Sequence, residues 1–174
     1  ASVVSSNARK VQNFATDIAL VLAAHDDIVT ASGNLTRFDL GDGDNELNVA
    51  GHTRYLNAGD GDDTVVLGST LHTNSRTDEL DLGDGNNTLT VTGNAMGLNV
   101  TTGTGNDVLN FAQIGPSTSY MSNVTTGEGN DQITVTGQAY ANFTLGAGDD
   151  VLTLTVGNVY GNINTGAGND IIDI

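Results

Sequence analysis

The chain has 174 residues, with 21 acidic residues against 5 basic ones, 23 glycines, one proline and no cysteine. A formal net charge of −16 repels phosphate backbones and anionic lipid surfaces, which argues against nucleic-acid partners and membrane insertion and leaves cations as the natural counterpart. Without cysteine there is no disulfide framework, thiolate metal site or thiol nucleophile; the longest apolar run, residues 18–24, falls far short of the ~20 residues that span a bilayer, and no adjoining segment reads as a signal peptide.

Residues 7–22 place Val11, Phe14, Ile18 and Val21/Leu22 at helical spacing behind Ser5 or Ser6 as a cap. This predicts an N-terminal α-helix within residues 1–24 that covers the open apolar end of the repeats beyond it. A degenerate copy of a turn, Ala23-Ala24-His25-Asp26-Asp27-Ile28, comes next. One signature, G-x-G-[ND]-[ND]-x-h-x-h with h apolar, then recurs seven times. The copies are Gly41-Asp42-Gly43-Asp44-Asn45, Gly59-Asp60-Gly61-Asp62-Asp63, Gly83-Asp84-Gly85-Asn86-Asn87, Gly103-Thr104-Gly105-Asn106-Asp107, Gly127-Glu128-Gly129-Asn130-Asp131, Gly146-Ala147-Gly148-Asp149-Asp150 and Gly166-Ala167-Gly168-Asn169-Asp170. Their starts are separated by 18, 24, 20, 24, 19 and 20 residues.

Alternate apolar residues follow each turn: Leu47/Val49, Val65/Leu67, Leu89/Val91, Leu109/Phe111, Ile133/Val135, Leu152/Leu154 and Ile172/Ile174. Another sits three residues before each: Phe38, Leu56, Leu80, Val100, Val124, Phe143 and Ile163. A period of two flanking a glycine turn of fixed length predicts short strands with one face inward. The fold class expected is all-β, a parallel β-solenoid or β-roll of about seven to eight coils over residues 25–174, forming a rod ~35–40 Å long at ~4.8 Å per coil. The second turn of each coil is short in Gly51-His52-Thr53, Gly93-Asn94-Ala95 and Gly137-Gln138-Ala139, and it swells into loops at residues 68–77 and 113–121, the latter holding Pro116. These loops should project opposite the acidic turns. The sequence stops in mid-coil at Ile172-Asp173-Ile174, which suggests a longer parent chain or end-to-end self-association through an uncapped C-terminal coil.

All five basic residues (Arg9, Lys10, Arg37, Arg54, Arg76) precede residue 77, whereas eleven acids follow it. Two carboxylates ~5 Å apart repel by roughly 3 kcal/mol at an effective dielectric of ~20. Stacked acidic turns therefore need cations. Paired glycines let a turn aim several carbonyl oxygens to one side, and the second Asx of each turn starts its strand on the inward parity. Carbonyls and carboxylates from adjacent turns make an all-oxygen cage that suits calcium better than zinc or magnesium. The candidate ligand set is Gly41, Gly43 and Asn45; Gly59, Gly61 and Asp63; Gly83, Gly85 and Asn87; Gly103, Gly105 and Asp107; Gly127, Gly129 and Asp131; Gly146, Gly148 and Asp150; and Gly166, Gly168 and Asp170. Seven turns enclose six gaps, so one row of about six Ca2+ is expected, adding +12 to the formal −16. Asn45 and Asn87 put one Asp and one Asn in each of the first three gaps, while the last three pair Asp with Asp and should bind more tightly.

These repeats resemble the calcium-binding repeats-in-toxin (RTX) family, whose unit G-G-x-G-x-D-x-h-x folds as a parallel β-roll. The resemblance spans residues 23–174. The first family glycine is replaced by Leu40, Ala58, Leu82, Thr102, Thr126, Leu145 or Thr165, and only one turn per coil carries the motif. The chain is thus similar to the one-row solenoids of large bacterial RTX adhesins, including ice-binding ones. The resemblance implies calcium-dependent folding, secretion by a type I system, and a secreted or cell-surface bacterial protein with a structural or adhesive role.

An enzyme is not expected. His25, His52 and His72 share no ligand or catalytic spacing, and no G-x-S-x-G is present. The alternative reading is an ice-binding or carbohydrate-binding adhesin module. Thr90/Thr134/Thr153, Thr92/Thr136/Thr155 and Thr101/Thr125/Thr144 form outward files beside an Asn file of Asn99, Asn123, Asn142 and Asn162, but only Thr104 with Asn106 matches the G-T-G-N-D turn of ice-binding relatives. A carbohydrate or protein partner would sit on the loops at 68–77 and 113–121.

Overall fold

A computed structural model describes residues 2–5, 11–12, 19–69, 78–115, 117–155 and 159–174. The chain winds as a parallel β-solenoid of about seven coils. Each strand pairs with its counterparts one coil earlier and one coil later, so two ladders run along the axis. The pre-turn ladder holds Ala19–Leu22, Arg37–Asp39, Tyr55–Asn57, Asp78–Asp81, Leu98–Thr101, Ser122–Glu128, the later part of Ala139–Ala147, and Ile163–Asn164. The post-turn ladder holds Ile28–Ala31, Glu46–His52, Thr64–Ser69, Thr88–Ala95, Val108–Ile114, Gln132–Val135, Val151–Leu154 and Ile171–Asp173.

The apolar periodicity sets the register. Leu47, Val65, Leu89, Leu109, Ile133, Leu152 and Ile172 are successive partners in the post-turn ladder. Phe38, Leu56, Leu80, Val100, Val124, Phe143 and Ile163 do the same before the turn. Because side chains alternate across a strand, a slip of one residue would turn the whole apolar set outward, and this pins the pairing despite unequal coil lengths. The resulting core is a narrow column in which Phe38, Phe111 and Phe143 are the largest fully buried side chains among the described residues. In the final coil Ile171, Ile172 and Ile174 are exposed.

The expected N-terminal helix requires correction. Val11–Gln12 and Ala19–Leu22 are strands that pair with Val29–Thr30 and Arg37–Asp39, and Ser2–Ser5 pairs with Ala19–Leu22. The remainder of residues 7–22 lies outside the described residues, among which there is no α-helix. Leu20 and Leu22 are buried while Val21 is 36 % exposed, a period of two that continues the neighbouring coils. The open edge of the next coil presents a row of unpaired N–H and C=O groups, and a strand satisfies that row where a helix cannot.

The second turns also differ from the expected plain connections. Glu46–His52 and Thr88–Ala95 bend through a register shift and go on pairing, Asn94 and Ala95 with Gln113 and Ile114, and Ile114 in turn with Ala139. A short third side of the coil thus forms where turns were expected. Gln113 and Ile114 of the 113–121 loop belong to this strand, and Thr118–Tyr120 is a 3-10 turn. Gly68 and Ser69 likewise end Thr64–Ser69, and the rest of the 68–77 loop lies outside the described residues.

Candidate functional site

Thirteen of the fourteen glycines in the seven acidic turns have positive φ, Gly103 being the exception. At Gly129 (φ +127°) a Cβ would overlap the carbonyl oxygen of Gly105 one coil earlier. The turns therefore stack backbone on backbone, which only glycine permits.

Two files of Asx side chains stitch the stacked turns together, pointing in opposite directions. In the inner file each side chain reaches back one coil. The N–H of Asp27 donates to Asn45 Oδ1 (3.0 Å), Asn45 to Asp63 (2.9 Å), Asp63 to Asn87 (3.1 Å), and Asn87 to Asp107 (2.8 Å). Asp107 continues to Asp131 (2.9 Å), Asp131 to Asp150 (2.8 Å) and Asp150 to Asp170 (3.1 Å). In the outer, exposed file each side chain reaches forward, so that Asp44 N–H donates to Asp26 Oδ1, and the pattern runs through Asp62, Asn86, Asn106, Asn130 and Asp149 to Asn169 at 2.7–3.0 Å. Each file satisfies turn N–H groups that the strand ladders leave over.

The inner file is where the chemistry lies. Asp63, Asp107, Asp131 and Asp150 are each 1 % exposed, and in each Oδ1 is used while Oδ2 is buried without any hydrogen-bond partner. The nearby Thr102 and Thr126 hydroxyls donate instead to the carbonyls of Thr126 and Leu145, both at 2.7 Å. Burial pushes the carboxyls of Asp27, Asp107, Asp131 and Asp150 up from their ordinary range, and that of Asp63 to about 6. The negative charges of Asp107 and Asp150 raise Asp131 further. Only Asp107, Asp131, Asp150 and Asp170 follow one another in the file, and ionised carboxylates one coil apart (~4.8 Å) repel by roughly 3 kcal/mol per pair at a dielectric of ~20. A bound cation or a proton would offset this.

The donor set suits a hard cation. Among the described residues no three His, Cys, Asp or Glu side chains converge, so an ion here would rely on at most two carboxylates together with backbone carbonyls. In the two turns whose inner residue is Asn, Gly41 and Gly43, and Gly83 and Gly85, aim their carbonyls at the inner side chain of their own turn. All-oxygen, carbonyl-rich and irregular, such a site fits calcium rather than octahedral magnesium or a nitrogen- and sulfur-seeking metal.

The structure thus draws the predicted residues Asn45, Asp63, Asn87, Asp107, Asp131, Asp150 and Asp170 into one file, with their glycines stacked beside them. Asp27 extends that file by one coil, and its Oδ1 is also buried and unpartnered. Its turn lacks glycines, so the glycine pattern misses it, although the Asp26-Asp27-Ile28 run preserves the register. A further buried acid, Asp78, lies off the file at the opposite end of the pre-turn strand. Burial raises its carboxyl to about 7 against the opposing pull of Arg54, whose Nε is 3.8 Å from Oδ1. No motif marks this residue.

The two described histidines lie apart, His25 adjoining an acidic turn and His52 ending a strand at the far side of its coil; His72 lies outside the described residues. Thr101, Thr125 and Thr144 are direct neighbours in register. The Asn file is engaged with itself, Asn123 Nδ2 donating to Asn99 Oδ1 (2.8 Å), Asn142 to Asn123 (3.0 Å) and Asn162 to Asn142 (3.3 Å). No family model matches the chain, and comparison with curated proteins and with solved structures finds no match either.

Proposed function

We propose that this chain is a calcium-loaded β-solenoid serving as a structural or adhesive module of a secreted or cell-surface bacterial protein. The observation that carries the proposal is the row of buried, unpartnered Oδ2 atoms on Asp63, Asp107, Asp131 and Asp150. A divalent cation supplies the positive charge those oxygens lack. The chain's own part is to hold each carboxylate by its Oδ1 on the previous turn and to present glycine carbonyls beside it. With a core one side chain wide, burial alone offsets chain entropy poorly, so ion binding becomes folding free energy. Low calcium would leave the segment unfolded and fit for export, and millimolar calcium outside the cell would fold it.

Circular dichroism in calcium and in chelator tests this. The strand signal is expected to collapse on chelation and to return with calcium but not with an equal concentration of magnesium. A strand signal indifferent to chelator would overturn the proposal.

A further inference from the structure

We infer that the side-chain amides of Asn45 and Asn87 stand where the other turns take their cations, so that these two turns hold no ion and stay closed without one. The inference rests on the calcium reading only for the identity of the ion.

Asn45 occupies the inner file as the aspartates do, its Oδ1 receiving the Asp27 N–H. Its other atom behaves differently from theirs. Nδ2 donates to the carbonyls of Gly41 (3.1 Å), Gly43 (2.8 Å) and, from the following coil, Ala58 (3.2 Å). Three carbonyl oxygens from two coils therefore converge on one point. Asn87 repeats the part of this made within its own turn, with Nδ2 3.2 Å from the carbonyls of both Gly83 and Gly85. The amide orientation is dictated on both sides, since a backbone N–H needs the oxygen and the carbonyls need the N–H groups. Where the residue is Asp63, Asp107, Asp131 or Asp150, the side chain has no N–H to offer, and Oδ2 is left buried without a partner. A cation and an amide are two solutions to one electrostatic problem.

The ion count should then follow the aspartates of the inner file, not the gaps between turns. Both self-sufficient turns lie in the N-terminal coils, which would remain closed at calcium levels that leave the later turns open.

Calcium bound per chain, counted by equilibrium dialysis for the native chain, N45D, N87D and D131N, tests the inference together with melting at one saturating calcium concentration. N45D and N87D are each expected to gain one ion, and reading both keeps the test decisive if one fails to fold. D131N is expected to lose one ion and, at equal calcium, to melt at least ~4 °C above D131A, which lacks both the ion and the amide at that turn. Unchanged counts in both Asn variants, or D131N melting no higher than D131A, would overturn the inference. If no chain bound calcium, the calcium reading would fall, whereas the comparison of D131N with D131A would still decide the role of the amide.

Discussion

The three turns beginning at Gly41, Gly59 and Gly83 carry their acids outside, and the four beginning at Gly103, Gly127, Gly146 and Gly166 carry them inside. At the exposed positions the first group has Asp42, Asp44, Asp60, Asp62 and Asp84 with Asn86, whereas the second has only Glu128 and Asp149 among Thr104, Asn106, Asn130, Ala147, Ala167 and Asn169. In the inner file the first group has one acid, Asp63, between Asn45 and Asn87, and the second has four, Asp107, Asp131, Asp150 and Asp170. Water and salt screen the outer charges at little cost, but a buried carboxylate must find a counter-charge or a proton. Equal acidity in the two halves therefore has unequal consequences: outside it shapes the field around the rod, and inside it creates a demand for ligand.

The largest expected effect is on the order of unfolding as calcium is withdrawn. In hydrogen exchange at falling free calcium, strands Val108–Ile114, Gln132–Val135 and Val151–Leu154 should lose protection before Ile28–Ala31 and Glu46–His52. Simultaneous loss in both halves would erase the distinction. Next in size is the response to a turn methyl group, read by chemical unfolding in calcium. In G41A the new Cβ meets Ala23 backbone atoms at no closer than 3.0 Å, so the main cost is the positive φ, about 1–2 kcal/mol. In G129A the Cβ overlaps the Gly105 carbonyl, and a clearly larger loss is expected.

Among the described residues the N-terminal half still contains one buried acid with no place in the file, Asp78. Its folded carboxyl, raised by burial to about 7, binds a proton more readily than in the unfolded chain. The stability it contributes is present at low pH and is lost as pH rises through about 7. Melting in saturating calcium should therefore fall between about pH 5 and about pH 7 and level off above, and D78N should flatten that slope. The smallest effect belongs to the outer acids. D44N with D62N keeps the Oδ1 acceptors of the outer file and should stabilise by less than ~1 kcal/mol at low salt, vanishing near ~1 M salt. A salt-independent gain would mean that these acids are not merely screened surface charge.

Much of this organisation is legible in the chain. The glycine turns and period-two apolar pairs are local signals, repeated often enough that register follows by superposition. The N-terminal segment was not legible, because Val11, Phe14 and Ile18 satisfy a helical template while Leu20 and Leu22 satisfy a strand one. The unpaired edge of the neighbouring coil settles Ala19–Leu22 as strand, and that edge exists only once the coils are stacked. Asp78 was invisible for a similar reason, since its position against Arg54 arises from the pairing of Tyr55 with Glu79 across a 24-residue coil.

The sequence by itself determined that acidic glycine turns recur in register around a thin apolar column, because periodicity and parity need no knowledge of neighbours. Only the tertiary structure decided how the inner oxygens are used: one is tied to the preceding turn's N–H, the other is either stranded as Oδ2 or replaced by an amide aimed at carbonyls. Asp and Asn are interchangeable in a turn signature, but they differ by a charge and two N–H donors. That difference acquires its meaning only where stacking excludes water.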